Sequence, residues 1–222
     1  MSWITDTLNS SIGKKIIMAK TGLFLIIFLL VHLIGNISLL YNDGGEAFNA
    51  YAEFMKHNPI IKAGEVILFL GILIHVVQGI SLTLKNKAAR SQGYAVANKN
   101  PKVSSTSKSM SIIGSLLLVF LIWHLYEFFR HKYFGTPGFD LYQHVHHEFG
   151  DEGMTHVPAY LIFMAVVGFH LYHGFQSAFQ SLGINHKKYT PTIKKIGTVY
   201  SVIVPLLFAA VPVAIYFGFW IK

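Results

Sequence analysis

Histidines placed inside apolar sequence are the residues of this chain best suited to chemistry. Five of its 12 histidines lie in long apolar stretches, at His32, His75, His124, His170 and His173. An ionisable side chain in such a setting is costly and usually marks a functional site, such as a metal ligand or a proton relay. A single one could be satisfied by a hydrogen bond to a neighbouring helix. One histidine or more on each of four consecutive stretches favours a shared chemical role.

The stretches that carry these histidines are long enough to cross a membrane. The chain of 222 residues is 53% hydrophobic and only 13% charged, and a helix needs roughly 20 apolar residues to span the hydrocarbon core. Five runs meet this length, at about residues 21–41, 60–84, 110–129, 157–182 and 196–221. We therefore predict an all-α integral membrane protein with one domain, 1–222, in which four histidine-bearing helices form a bundle and the fifth helix packs against it.

Basic residues are concentrated on one side of this predicted membrane domain. The formal net charge is +8, and 13 of the 18 Lys and Arg residues fall before span one, between spans two and three, or between spans four and five. Because positive residues favour the cytoplasmic side, we predict a cytoplasmic N-terminus and an external C-terminus. The charge therefore requires no nucleic-acid partner. The first run lacks a small-residue cleavage site and is too long for a signal peptide, so we expect it in the mature protein.

The links between the spans differ in character. Residues 1–13 form a polar lead suited to capping the first helix. The link after span one has a Gly-Gly turn and then a short amphipathic stretch, whereas the basic, Ser-rich link 85–109 is typical of a loop or a partner-facing segment. The link after span three mixes aromatic, histidine and acidic residues, which favours an ordered cap. Span five ends in "YFGFW", typical of a membrane interface.

Position along each span divides four of the histidines into two pairs. His32 and His124 lie past the midpoints of spans that run outward, and His75 and His170 lie at or past the midpoints of spans that run inward. Two imidazoles that converge from facing helices can supply both axial ligands of a b-type haem. The chain has no cysteine, so it can hold neither an iron–sulfur cluster of its own nor covalently attached haem. We therefore predict two non-covalent haem b groups held by the four histidine-bearing helices.

Small and basic residues near the histidines suggest how a porphyrin could be held. Gly71 and Gly79 flank His75 at four residues on either side, and Gly174 lies four residues after His170. Haem propionates also need cationic or polar partners, for which the candidates are Lys20, Lys108 and "SSTSKS" at the inner interface, and Arg130 and His131 near the outer haem. Each of these could equally be an interfacial anchor.

Four segments of the sequence resemble a known family. They are "GLFLIIFLLVHLIGN", "LFLGILIHVVQG", "IWHLYEF" and "FHLYHGFQSAFQSLGI". Together they resemble the histidine-bearing helices of the cytochrome b membrane anchor of succinate:quinone oxidoreductases and fumarate reductases, the type with one anchor subunit, five helices and two haems. The fourth segment, with its His-x-x-x-Gly pattern and Leu-Gly ending, is the most specific.

The resemblance implies a role for each intramembrane histidine. His32 and His124 match the ligands of the outer, distal haem, and His75 and His170 match those of the inner, proximal haem. The ligand in the family pattern stands four residues before the glycine, which is His170 here. His173 lies about 60° further round the helix, so we expect it beside the haem, as a contact to a ligand or a propionate.

The resemblance also implies partners. A flavoprotein subunit that interconverts succinate and fumarate and an iron–sulfur subunit would lie on the cytoplasmic face of a bacterial inner membrane, and electrons would pass through the inner and outer haems to or from a quinone, menaquinone or ubiquinone. Glu127, one turn after His124, and the acids and histidines of 140–156 are candidates for proton exchange at an outer quinone site. A dimer of whole complexes is compatible with the resemblance.

Three other functions remain open on the sequence. A membrane non-haem iron enzyme is suggested by "HVHH" at 144–147 together with His170 and His173, although such centres need about eight histidines in register. A transporter with a histidine proton relay would need broken helices and acids within the spans, which hold almost none. A cytochrome b subunit of another quinone-linked dehydrogenase, such as a hydrogenase or formate dehydrogenase, would share the paired histidines but is disfavoured by the sequence motifs.

Overall fold

The computed structural model describes residues 10–88, 105–134 and 139–221, and within these ranges the chain is helical and forms no strand. The helices, in chain order, are α1 (Ser11–Ile37), α2 (Glu46–His57), α3 (Pro59–Ala88), α4 (Ser105–His124), α5 (Arg130–Phe134), α6 (Leu141–His146), α7 (Gly153–Ser181) and α8 (Thr190–Phe217). Five of them, α1, α3, α4, α7 and α8, give segments long and apolar enough to cross a membrane. The predicted number of membrane helices is therefore confirmed, and the protein is a multi-pass membrane protein.

Several helix ends differ from the predicted bounds, and two of them have a clear local cause. Helix α1 begins at Ser11, well before residue 21, because the Ser10 side chain caps it by accepting a hydrogen bond from the Gly13 amide at 3.0 Å. Helix α8 ends at Phe217 and does not continue to residue 221, because Gly218 adopts a left-handed conformation with φ +70°. The chain then turns back, and the Ile221 amide donates to the Leu40 carbonyl at 2.8 Å. Only part of "YFGFW" is thus helical.

Helix α7 lies at the centre of the bundle. It packs against α1, α4 and α8, while α1 also packs against α3 and α8. Helix α8 runs through Pro205 and Pro212, both buried, and brings the Phe208 ring to 5.6 Å from the His32 ring. The fifth membrane helix, α8, therefore lines the region around His32, one of the predicted ligands. Many large apolar side chains of α3 and several of α4 are exposed on the outside of the bundle, as expected for helices that face lipid.

An ordered cap closes one end of the bundle, as predicted for the second outer link. Helix α6 begins where Asp140 accepts from the Gln143 amide, and the same carboxylate accepts from Asn49 on α2 at 3.1 Å. The apolar side chains of the cap, among them Phe48 and Phe149, pack with Tyr160 of α7 in one cluster. Gly44 and Gly45 form the turn before α2 with φ of +67° and +93°, which confirms the predicted Gly-Gly turn.

Two π-helical turns interrupt the regular helices beside this cap. The first, Leu125–Phe129, follows α4 directly after His124, and the second, His147–Asp151, follows α6. A π-turn adds a residue to the helical turn and is frequent at functional sites. Here the two turns carry Glu127 and Glu148 toward each other.

Candidate functional site

His75 of α3 and His170 of α7 face each other within the bundle. Their ring centroids are 6.2 Å apart, with ring planes inclined by 70°. His75 is half-buried, and its Nδ1 atom lies 3.1 Å from the Thr21 hydroxyl of α1. Three helices therefore meet at this pair, two through the imidazoles and the third through a hydroxyl that contacts one of them.

Carbonyl groups of α1 lie close to the Thr21 hydroxyl and the His75 ring. The hydroxyl has the Ile17 carbonyl at 2.9 Å and the Met18 carbonyl at 3.1 Å as acceptors, and the Met18 carbonyl also bonds the His75 ring. When the hydroxyl donates within its own helix it accepts from His75, which fits a ring protonated at Nδ1 with the lone pair on Nε2. A metal-binding histidine usually has this arrangement, with the other ring N–H donated to an oxygen of the protein.

Two buried polar atoms beside this pair have no partner in the described part of the chain. They are Nδ1 of His170 and Oε1 of Gln78, which lies three residues after His75. Buried polar atoms are nearly always satisfied, and an exception calls for a bound group or water. The unsatisfied atoms therefore fit a ligand or prosthetic group bound at the His75–His170 pair.

His32 of α1 and His124 of α4 form the second pair, nearer the cap. Their ring centroids are 5.8 Å apart and their planes are inclined by 83°. Nδ1 of His124 lies 3.2 Å from the hydroxyl of Tyr160 on α7. His32 stacks on Phe28 at 5.4 Å. Thr21 and His32 are eleven residues apart on α1, so the two pairs are separated by about 16 Å along the helix axis.

The separation of each pair fits two axial ligands on one iron atom. A first-row metal binds an imidazole nitrogen at about 2 Å, and the ring centre lies roughly 1 Å beyond that nitrogen, so two opposed imidazoles have centroids about 6 Å apart. The measured separations are 5.8 and 6.2 Å. A metal held by protein alone usually needs three or four side chains. In the described residues, neither pair belongs to a group of three close potential ligands. The pairs therefore fit haem iron, whose macrocycle supplies the other ligands.

The glycines near His75 and His170 have different surroundings. A Cβ on Gly71 would lie 3.1 Å from the Phe24 ring, and a Cβ on Gly79 would lie 3.4 Å from the end of Met18, so both glycines let α3 approach α1. Gly174, four residues after His170, has open space where its Cβ would be. Gly22 faces the His75 ring, at 3.4 Å from Cε1. Two of the three predicted glycines thus contribute to helix packing.

The remaining predicted haem contacts are dispersed. His173 bonds through Nε2 to the Ser177 hydroxyl of its own helix at 2.9 Å. Lys20 is exposed on α1, next to Thr21. The Arg130 guanidinium lies 4.3 Å from the centre of the Tyr126 ring, as in a cation–π contact. Lys108 and the "SSTSKS" side chains that precede Ser109 lie outside the described side chains.

Glu127 belongs to a group of potential metal ligands at the cap. A carboxylate oxygen or ring nitrogen from each of Glu127, His144 and Glu148 lies within 4.8 Å of the others. One oxygen of Glu127 accepts from the Trp123 indole at 2.9 Å. The histidines of "HVHH" therefore lie with carboxylates at the cap, whereas His170 faces His75. The histidine set of a non-haem iron centre is not assembled by these described residues.

Two histidines of the cap have pKa values below the ordinary value of histidine. Burial is the largest cause for both. For His131, which stacks on Phe139 at 4.5 Å, the neighbouring His144 and Arg130 lower the pKa further, although nearby carboxylates oppose them. For His146, a bond to the Leu39 carbonyl opposes the effect of burial. Both side chains are therefore neutral near pH 7.

Sequence reasoning missed the two hydroxyls that contact the histidine pairs. Thr21 adjoins the predicted Lys20, and Tyr160 lies in the apolar run of α7. Each contacts a histidine on a different helix, so no spacing along the chain could indicate the contact. The only indication of these contacts in the sequence was a hydroxyl-bearing residue within or at the edge of an apolar span.

Comparisons of the chain with protein-family models, with curated proteins and with solved structures gave no match.

Proposed function

We propose that this chain is a dihaem cytochrome b, the membrane anchor of a succinate dehydrogenase or fumarate reductase complex, that passes electrons between an iron–sulfur subunit and a membrane quinone. The observation that carries the proposal is the arrangement of two histidine pairs at two depths, with ring centroids 5.8 and 6.2 Å apart. The choice among cytochromes b rests on the sequence resemblance of the four histidine-bearing segments.

Two haem b groups, each held by two histidines, would supply one-electron carriers suited to electron transfer more than to binding a substrate at iron. His75 and His170 would hold the inner group, and His32 and His124 the outer group. Thr21 orients His75 and Tyr160 contacts Nδ1 of His124, so each pair has a partner that limits ring rotation. His173 would lie beside the inner group and Lys20, Lys108 and Arg130 near the haem edges.

The outer cap is the proposed place of quinone chemistry. Reduction of a quinone to a quinol takes two electrons and two protons, so a group that exchanges protons must lie near the outer haem. Glu127 is three residues after His124, and one of its carboxylate oxygens is not used by the bond to Trp123. We assign proton exchange to this carboxylate. The quinone would be menaquinone or ubiquinone.

The proposed orientation and partners follow from the charge distribution and the resemblance. With the N-terminus in the cytoplasm of a bacterium, the inner pair lies nearer the cytoplasmic face of the inner membrane, where the flavoprotein and iron–sulfur subunits would bind. The basic residues of the inner links would face those subunits. A dimer of whole complexes is part of the same proposal.

Haem content tests the proposal directly. We expect the purified full-length chain to contain two low-spin b-type haems, measured by optical spectroscopy and as the pyridine haemochrome. His170→Ala should leave one haem, because it removes a ligand of the inner pair. His173→Ala is the matched control, three residues away on the same helix, and should keep two.

Other outcomes would contradict specific parts of the proposal. One haem in the wild-type chain, or iron without porphyrin, would contradict the dihaem assignment. Loss of haem in His173→Ala but not in His170→Ala would reverse the ligand assignment. Two haems in a protein that co-purifies with a hydrogenase or formate dehydrogenase subunit would assign the chain to a different complex.

A further inference from the structure

We propose that the outer cap contains a binding site for one divalent transition metal ion, with Zn²⁺ as the best match, formed by His144, Glu148 and Glu127 and completed by His156. The site joins the turn after α4 with α6, the turn that follows α6 and the first helical turn of α7. It is separate from both histidine pairs and does not depend on the proposed haems.

His144 directs its second ring nitrogen at a carboxylate. Its Nε2 atom lies 3.1 Å from the backbone carbonyl of Glu127. A carbonyl only accepts, so this contact places a hydrogen on Nε2, and a ring with one hydrogen then has its lone pair on Nδ1. That Nδ1 atom points at Oε1 of Glu148, 3.7 Å away. Two acceptors facing each other repel unless a proton or a cation lies between them.

His156 repeats this arrangement from the other side. Its Nδ1 atom lies 3.2 Å from the Glu152 carbonyl, to which it can donate, and 3.3 Å from the Thr155 hydroxyl. Its Nε2 atom faces Oε2 of Glu148, also at 3.2 Å. Both imidazoles thus have one nitrogen fixed on a backbone carbonyl and the other directed at the same carboxylate, which is how metal-binding histidines are oriented.

The distances suit a metal ion. Zinc binds imidazole nitrogen and carboxylate oxygen at about 2.0–2.2 Å in a tetrahedron, so its neighbouring ligand atoms lie roughly 3.3 Å apart. The distances from Glu148 to His156 and His144 are 3.2 and 3.7 Å. One ligand atom from each of Glu127, His144 and Glu148 lies within 4.8 Å of the others. His156 is not in that group and approaches the other oxygen of Glu148, so the side chains of Glu127 and His156 would both have to move to complete the site.

Burial of Glu148 makes the site more than a surface cluster. Its side chain is only 11% exposed, and a buried carboxylate must be neutralised or paired. Within the described ranges, its ion-pair partners are all histidines: His144, His156 and the more exposed His147, whose Nδ1 lies at 3.5 Å. One divalent cation would compensate this carboxylate and Glu127 at once, whereas an ion-pair network would need the histidines to be protonated.

The π-turns explain why these residues meet. Glu127 and Glu148 each lie within a π-helical turn, and the wider turn redirects a side chain relative to regular helix. Metal binding would also occupy the Glu127 carboxylate, because its other oxygen is bonded to Trp123. Metal binding and proton exchange at Glu127 would therefore exclude each other.

Zinc binding to the purified full-length protein tests the inference. The protein is stripped with a chelator, incubated with Zn²⁺ and passed over a desalting column, and zinc is counted by mass spectrometry separately from iron. We expect one zinc per chain, and a loss of affinity of at least about tenfold in His144→Ala and in Glu148→Gln. His57→Ala is the matched control, since His57 pairs with Glu53 at 2.9 Å on the exposed surface of the cap, and it should bind zinc as the wild type does.

Zinc X-ray absorption of the wild-type protein decides the question even if a variant fails to fold. We expect two imidazoles and carboxylate oxygen at about 2.0–2.2 Å from zinc. Zinc that shows no imidazole scattering, or that His57→Ala loses as readily as Glu148→Gln, would overturn the assignment. Absence of tight zinc in the wild type would leave the histidines and Glu148 as an ion-pair network. Each outcome can be read whether or not haem is present.

Discussion

Replacing Thr21 by Val tests whether the hydroxyl positions His75 as a ligand. Valine has nearly the shape of threonine, so the change removes the acceptor that lies 3.1 Å from Nδ1 of His75 and little else. When iron holds the ring, His75 would lose the hydroxyl and keep the Met18 carbonyl as an acceptor. Loss of one such hydrogen bond costs about 0.5–1.5 kcal/mol. In the haem-free protein the ring can rotate to another partner, so the cost falls mainly on the haem-bound state.

The expected effect is weaker retention of one of the two haems. A tenfold change corresponds to about 1.4 kcal/mol, so Thr21→Val should weaken binding of the inner haem by roughly 2- to 13-fold. The assay is transfer of haem from the purified protein to an excess of apomyoglobin, followed optically. We expect two phases in the wild type, of which the variant accelerates one. Thr21→Ser keeps the hydroxyl and should transfer haem as the wild type does.

A second variant makes the experiment specific to each pair. Tyr160→Phe removes the hydroxyl 3.2 Å from Nδ1 of His124 and should accelerate the other phase. If Thr21→Val left both phases unchanged, the hydroxyl would not position His75 in the haem-bound protein. If both variants accelerated the same phase, the division of the histidines into an inner and an outer pair would be wrong.

Two further predictions concern packing and pH. Gly168→Ala should lower the free energy of unfolding by about 1–3 kcal/mol, because its Cβ would lie 3.0 Å from the backbone oxygen of Ser201 on α8; thermal unfolding in detergent measures this, with Gly64→Ala, which meets open space, as the control. Burial raises the pKa of Tyr51 above 10.0, so its phenol stabilises the folded state below pH 10 and this contribution is lost as the pH rises. Thermal unfolding on either side of pH 10 should show a smaller alkaline loss in Tyr51→Phe, and an equal loss would mean that Tyr51 does not titrate on unfolding.

The number and identity of the membrane helices could be predicted from the sequence because the length of an apolar run is a local property of the chain. Each apolar run exceeds the length that the hydrocarbon core requires, and all five runs are helices in the structure. The predicted ends of the helices were less accurate. The start of α1 depends on the Ser10 cap, and the end of α8 depends on Gly218, both single-residue effects that a hydrophobic run does not register.

The four paired histidines were also accessible to sequence reasoning. Their depths follow from position along spans of known length, and the direction of successive spans alternates, so His32 had to match His124 and His75 had to match His170. The structure brings each of these pairs to within 6.2 Å between ring centroids. His173 was distinguished from His170 by its rotation round the same helix, and it contacts Ser177 of its own helix.

The surroundings of these residues were decided only by the tertiary structure. Thr21 lies 54 positions from His75 in sequence and Tyr160 lies 36 from His124, so no local pattern relates them. The glycines beside His75 illustrate the same limit, since Gly71 and Gly79 receive side chains of α1 that their own helix does not specify.

The cap shows the division most clearly. Its composition of aromatic, histidine and acidic residues indicated an ordered segment, because aromatic side chains favour burial and histidines can pair with carboxylates. The convergence of Glu127, His144, Glu148 and His156 required two π-turns and the docking of three segments. Hydrophobic length and the alternation of spans are properties of the chain alone, and they determined the membrane architecture and the histidine pairs. Which oxygen faces which imidazole depends on side chains from different helices, and only the folded bundle determined that.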